Sequence, residues 1–271
     1  MRSFLINLIG LLIWMTTAAY SGEPVREYAF SFSSPNDFSV GEYLKYVVKY
    51  SYLNLGTIEI RVVSKTNIQG KRHYKAKATM DSHKGIGLVN LHQVYESTFA
   101  QDCASAFFRG LDKKDNGEFF TDYTFNRSSG KVLIKKGKVS PPEVYTNETR
   151  SLDTVMLDGL SLFFYARAWS GSDKSVRVPV YIVEKKGLTL LQFSSKKEKI
   201  EVDAIDYPVA VNRLSGRNEF VSILGLTGKF EGWFSADNAA IPIAANLKID
   251  LGSIRIELKE WKRNGWNPPK Y

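Results

Sequence analysis

Several features that a chain of this size often carries are scarce or missing. There is one cysteine, Cys103, so no intramolecular disulfide can form, and there are three histidines, His73, His83 and His92. His83 and His92 flank Gly85 and Gly87 without the i+4 spacing or cysteine pair of a zinc site. Even with Asp81 nearby they read as surface residues, and no metal is expected. No G-x-S-x-G nucleophile elbow occurs, because Gly159-Leu160-Ser161-Leu162 lacks the closing glycine. His83-Lys84-Gly85-Ile86-Gly87 falls short of a P-loop or dinucleotide pattern. Cys103, in FAQDCASAFF, has no base beside it and reads as a buried structural thiol. The carboxylate pairs Asp112/Asp115 and Asp203/Asp206 stand in turn-like surroundings, DKKDNGE and DAID. With no metal site, cofactor or catalytic set to assign, the expectation is a protein without enzymatic activity.

Long apolar runs are lacking too, except at the start. Phe4–Ala19 is almost wholly apolar behind Met1-Arg2, and Ala19-Tyr20-Ser21 sets small residues where a signal peptidase cuts. At about 13–16 residues the run is shorter than the ~20 needed to cross a bilayer. Residues 1–21 are therefore read as a cleaved export signal, which makes nucleic acid an improbable partner. No cysteine lies near the cut for lipid attachment. Lys and Arg number 37 against 28 Asp and Glu, a net charge of +9 that falls to +8 when Arg2 leaves with the signal. Such a balance favours anionic neighbours. Its lysine clusters, Lys135-Lys136-Gly137-Lys138, Lys185-Lys186-Gly187 and Lys196-Lys197-Glu198-Lys199, are read first as solvated hairpin tips.

What the chain has in abundance is period-two alternation. Leu44, Tyr46, Val48, Tyr50 and Tyr52 share one face of a strand over Tyr43–Tyr52, and Ile58, Ile60 and Val62 share a face of the next. Leu53-Asn54-Leu55-Gly56 is read as the turn between them. Similar runs recur at Tyr74–Met80, Phe119–Phe125, Lys131–Lys135, Val176–Ile182, Leu188–Ser194, Ile200–Ile205, Phe230–Ala236, Ile241–Ile249 and Ser253–Trp261. These predict a mainly β fold: a strongly curved or closed antiparallel sheet, a half-barrel or barrel of roughly 10–12 strands. One segment breaks the rule. Asp158–Trp169 spaces Leu160, Phe163, Phe164 and Arg167 at helical intervals, with Asp158 as N-cap and Gly171 as stop. A lone helix near 158–169 should lie against the sheet as a lid or plug, preceded by a long loop at 140–153. Residues 22–39 and 263–271 are expected to be irregular, flanking a single β domain at 40–262.

Aromatic side chains supply the only candidate site. Tyr46, Tyr50, Tyr123, Phe163 and Phe164 are the chosen lining of a cavity between sheet and helix, with Tyr52, Phe119, Phe125, Phe230 and Trp233 as further candidates. The competing reading is an ordinary packed core.

Three groups of residues carry a resemblance. Gly41-Glu42-Tyr43-Leu44-Lys45-Tyr46-Val47-Val48 with Leu55-Gly56-Thr57-Ile58-Glu59-Ile60, then Asp158-x-Leu160-Ser161 with Tyr165-x-Arg167, then Phe234-Ser235-Ala236-Asp237 with Ile241-Pro242-Ile243, resemble the bacterial exported proteins grouped as domain of unknown function 3108. Where that family often has proline after the helix-start Asp, this chain has Gly159. The resemblance implies a protein of the periplasm or outer-membrane periphery, without established enzymatic activity, shaped like the curved half-barrels of lipoprotein carriers. Asp158 is then a cap, and Arg167 is expected to pair with a sheet carboxylate such as Asp237. The resulting expectation is an envelope protein that binds a lipid or other hydrophobic ligand, with peripheral membrane contact and envelope proteins as further partners. The alternatives are an envelope scaffold or adaptor, and a hydrolase of envelope lipid or glycan using Asp112, Asp115 or Asp237.

Overall fold

The computed structural model describes residues 38–68, 70–83, 92–218, 228–249 and 252–271. The expected export signal at 1–21 and most of the 22–39 segment lie outside the described residues. Among those residues the chain forms one 14-stranded sheet. Its first half is β1 (Tyr43–Tyr50), β2 (Leu53–Ile68), β3 (Lys71–Ser82), β4 (His92–Ala100), β5 (Ser105–Lys114), β6 (Gly117–Asn126), β7 (Lys131–Lys138) and β8 (Glu143–Ser151). Helix α1 (Gly159–Trp169) follows, then β9 (Ser175–Ile182), β10 (Lys185–Val202), β11 (Ile205–Asn218), β12 (Gly228–Ser235), β13 (Pro242–Ile249) and β14 (Gly252–Lys262).

Sequence neighbours pair as antiparallel hairpins throughout, and β1 joins β14, so the order runs β8 to β1, then β14 to β9. The sheet is curled and does not close, leaving β8 and β9 as its two edges. Alternation decides which face turns inward. In β3, Tyr74, Ala76 and Ala78 are buried while Lys75 and Lys77 are partly exposed. Helix α1 fills the concave side against β3, β4 and β9. Leu157, just before it, runs beside β9, donating to Pro179 O (3.0 Å) and accepting from Tyr181 N (2.8 Å).

Three expectations are corrected. The expected loop at 140–153 contains β8, which pairs with β7 from Lys138↔Glu143 to Lys131↔Ser151. Almost all of β8 is exposed on both faces, so it carries no core alternation for a sequence pattern to show. The turn into β2 is Ser51-Tyr52, with Ser51 at φ 53, while Leu53–Gly56 already belongs to the strand. Gly56 is needed for close approach: a Cβ there would stand 2.1 Å from Asp81 O. Of the lysine clusters, Lys135–Lys138 lies within β7 and Lys196–Lys199 within β10, where the ladder shifts register between Phe193 and Lys197. Lys185-Lys186 does adjoin a tip, the Val183-Glu184 turn. The last residues lack regular structure but are tied to β11: Ala210 N donates to Pro269 O (2.8 Å) and Tyr271 N to Pro208 O (3.0 Å).

Candidate functional site

The start of α1 is set by a buried polar knot. Asp158 Oδ1 accepts the free amides of Leu160 and Ser161, both at 2.9 Å. Its Oδ2 accepts the hydroxyls of Ser97 and Ser105, both at 2.6 Å. Burial pushes the Asp158 carboxyl above its ordinary range, against the pull of these four bonds. All its acceptor positions are in use, so the group fixes the helix to β4 and β5 and has nothing left for chemistry.

The far end of α1 is fixed by charge. Arg167, 1 % exposed, donates to Glu42 Oε1 (2.6 Å) and Oε2 (3.1 Å), and to the carbonyls of Ala240 (3.3 Å) and Ala239 (3.1 Å). Arg263 bonds Glu42 Oε2 at 2.5 Å. Burial alone would raise the Glu42 carboxyl, but the two guanidinium groups outweigh it and hold it below 4.5. The expected partner, Asp237, does other work: it accepts from Ser235 Oγ and from the Ala239 and Ala240 amides, and from Trp266 Nε1. Around Arg167, Phe38, Tyr74, Phe99 and Phe164 pack with ring centroids 4.8–6.1 Å apart.

Between these anchors, near the start of the helix, the interior is not filled. An apolar chamber of about 210 Å³ is lined by Tyr46, Ile58, Ile60, Ala78, Met80 and Phe163, among others. Tyr46 is buried, and among the described residues its hydroxyl has no hydrogen-bond partner. A second, aromatic chamber of about 500 Å³ lies toward the seam between β8 and β9. Tyr95 and Gly159 line both, so the two spaces adjoin. Across the aromatic chamber run stacked rings, Tyr95 on Phe108 (5.7 Å) and Phe108 on Tyr123 (5.4 Å), with Tyr181 edge-on to Tyr123 (5.2 Å).

Of the five residues chosen from sequence, Tyr46 and Phe163 line the apolar chamber and Tyr123 lines the aromatic one. Phe164 does not line either: it is fully buried in the packed cluster around Arg167. Tyr50 ends β1 opposite Leu53 and Ile254 and also lines neither. Of the further candidates, Tyr52 is 89 % exposed in its turn and Phe119 lines the aromatic chamber. Small residues that carry no sequence signal complete the wall: Ala78, Ala244, Ala245 and Gly159 make the apolar space by leaving it unfilled. Of the named carboxylates, Asp112 pairs with Lys114 (3.2 Å) and Asp237 serves its own turn. His92 Nδ1 meets Asp81 Oδ1 across β3 and β4.

A family model described as "protein of unknown function (DUF3108)" matches residues 45–259. The chain belongs to this family. DUF3108 residues thus include β2 through β13 and most of β1 and β14, with α1 and both chambers' walls among them. No curated protein matches this DUF3108 chain. Among solved structures it is similar to a beta-barrel-like protein of domain of unknown function DUF1849 from Brucella abortus. The TM-score is 0.53 at 10 % identity, covering 83 % of this chain and 98 % of the other. That likeness concerns the fold alone. Weaker likenesses run to a protein described as exported, of YmcC-like fold, from Bacteroides fragilis (TM-score 0.36, 9 % identity, 83 % of this chain and 97 % of that one). Another is to a protein described as a lipoprotein from Parabacteroides distasonis (0.32, 10 %, 83 % and 96 %).

Proposed function

We propose that this DUF3108 protein is an exported, non-catalytic component of the bacterial cell envelope that holds a lipid acyl chain in the apolar chamber beneath the start of α1. The observation that carries this reading is the unfilled chamber itself, walled by aliphatic and aromatic side chains. At about 210 Å³ it exceeds the ~150 Å³ cavity that takes benzene and falls short of the ~300 Å³ of a typical small-molecule pocket. Such a space suits one stretch of chain better than a whole lipid. Periplasm or outer-membrane periphery, with peripheral membrane contact, follows from the export signal and from a ligand of this class.

A second reading, an adaptor for other envelope proteins, has the free edge of β8 in its favour, where Val144 and Tyr145 are 57 % and 54 % exposed. The same strand carries Glu143, Glu148 and Arg150, and charges of this kind keep sheet edges from pairing.

Native mass spectrometry of the full chain, extracted mildly from its host's envelope, tests the first reading. A stoichiometric lipid adduct is expected, released on denaturation and absent from a Phe163→Lys variant that still melts cooperatively. A clean protein mass from every extract, together with no uptake of a fluorescent fatty acid, rejects the acyl-chain reading and turns attention to β8.

A further inference from the structure

The two chambers differ in kind, and the larger has a charge pattern of its own. Its lining includes two lysines, Lys114 and Lys136, and three carboxylates, Asp112, Asp158 and Glu184. Neither lysine stands alone: Lys114 pairs with Asp112 at 3.2 Å, and Lys136 with Glu184 at 2.9 Å. Asp158 is saturated by its four donors. Around these groups stand aromatic faces, and one already accommodates an ammonium, with Lys114 Nζ 5.7 Å from the centre of the Phe119 ring.

We propose that the aromatic chamber receives the headgroup of the amphiphile whose tail lies in the apolar chamber, and that it selects a zwitterionic headgroup over an anionic one. This rests on the acyl-chain reading above. Tyr95 and Gly159, shared by both chambers, mark where tail and head join. An anionic headgroup entering the larger chamber must draw the lysines away from Asp112 and Glu184 and leaves those carboxylates uncompensated beside it. The cost is modest at the exposed Lys114–Asp112 pair and larger at the half-buried Lys136–Glu184 pair, where charge is less well screened. A zwitterion exchanges partners without that loss: its phosphate takes the lysines, and its ammonium takes the carboxylates and the aromatic faces. The basic surplus of the whole chain therefore does not set the headgroup preference, because the chamber's own charges carry no positive excess.

Chain-matched probes distinguish these cases. The purified full chain is titrated calorimetrically with lysophosphatidylethanolamine and lysophosphatidylglycerol of one acyl length, each below its micelle concentration. The zwitterionic probe is expected to bind about tenfold more tightly. An Asp112→Asn/Glu184→Gln variant is expected to narrow the difference to about twofold, mainly by weakening the zwitterion. Equal binding, or preference for the anionic probe, overturns the headgroup proposal. If both probes are then lost when the tail chamber is filled by Ala78→Phe, or by the milder Ala245→Leu, the acyl-chain reading survives that result. Binding of neither probe to a cooperatively melting wild-type protein overturns both.

Discussion

The two ends of α1 lie in the same curled sheet and meet opposite treatment. At its C-terminal end, Arg167 and Glu42 are 1 % and 2 % exposed, their polar atoms are paired, and the rings of Phe38, Phe99 and Phe164 close around them. At its N-terminal end the wall is built partly from Ala78, Ala244 and Gly159, and space remains. An apolar space of about 210 Å³ leaves the side chains of its wall without packing partners on one side. A fold can carry such a deficit only if other parts are tightly held. The comparison therefore assigns stability to one end of the helix and binding to the other, and substitutions can test that division.

The largest effect is expected at the charged anchor. Arg167→Ala strands the buried Glu42 with Arg263 alone and unpairs two backbone carbonyls, so a loss of about 3–5 kcal/mol is expected in urea unfolding. Next, adjacent phenylalanines on one helix should diverge. Phe164→Ala, in the closed cluster, should cost about 3–5 kcal/mol, whereas Phe163→Ala, at the chamber wall, should cost about 1 kcal/mol and weaken ligand uptake. Equal losses for the pair would erase the distinction between the two ends.

Acid should probe the packed end more gently. The Glu42 carboxyl is depressed below 4.5 in the fold, so its contribution to stability is complete above its unfolded value and disappears as pH falls through the folded one. Asp158 works in the opposite sense, because its raised carboxyl makes the fold relatively more favourable on acidification. The comparison must therefore be between wild type and Glu42→Gln, in which Asp158 cancels. Their difference in unfolding free energy should be largest near about pH 7 and shrink as the pH drops below 4.5. A difference independent of pH would show that Glu42 acts through shape rather than charge.

How far the sequence could be read follows the same division. Inward faces such as Leu44 and Tyr46, or Tyr74, Ala76 and Ala78, were legible because burial on one side imposes alternation. The helix and its Asp158 cap were legible because the signal is local. β8 was hidden because both its faces are exposed. Glu42, in place of Asp237, was hidden because the pair spans 125 residues and no local pattern encodes it. The site was half legible for a more basic reason. Large side chains such as Tyr46 and Phe163 are visible in the sequence as wall candidates, but small side chains create the space. Alanine in a strand signals nothing until its neighbours across the fold are known.

The smallest effect is expected where the open end stores strain. The β9–β10 hairpin turns through Val183 and Glu184, at φ 50 and φ 57. Two-residue hairpins want left-handed residues at both positions, a role suited to Asn and Gly and poorly suited to a β-branched side chain. Val183 gains little burial in return, being 54 % exposed. Glu184 does serve the turn, since it pairs with Lys136, contacts the Tyr123 hydroxyl and offers its carbonyl to Arg150 (2.9 Å), pinning the hairpin across the open seam. Val183→Asn keeps those contacts and removes the strain, so it should raise stability by about 1 kcal/mol and slow amide exchange at the tip. If the variant is no more stable, the turn holds no strain to release. The hairpin would then be as settled as the packed end, and the contrast between the two would be confined to the chambers.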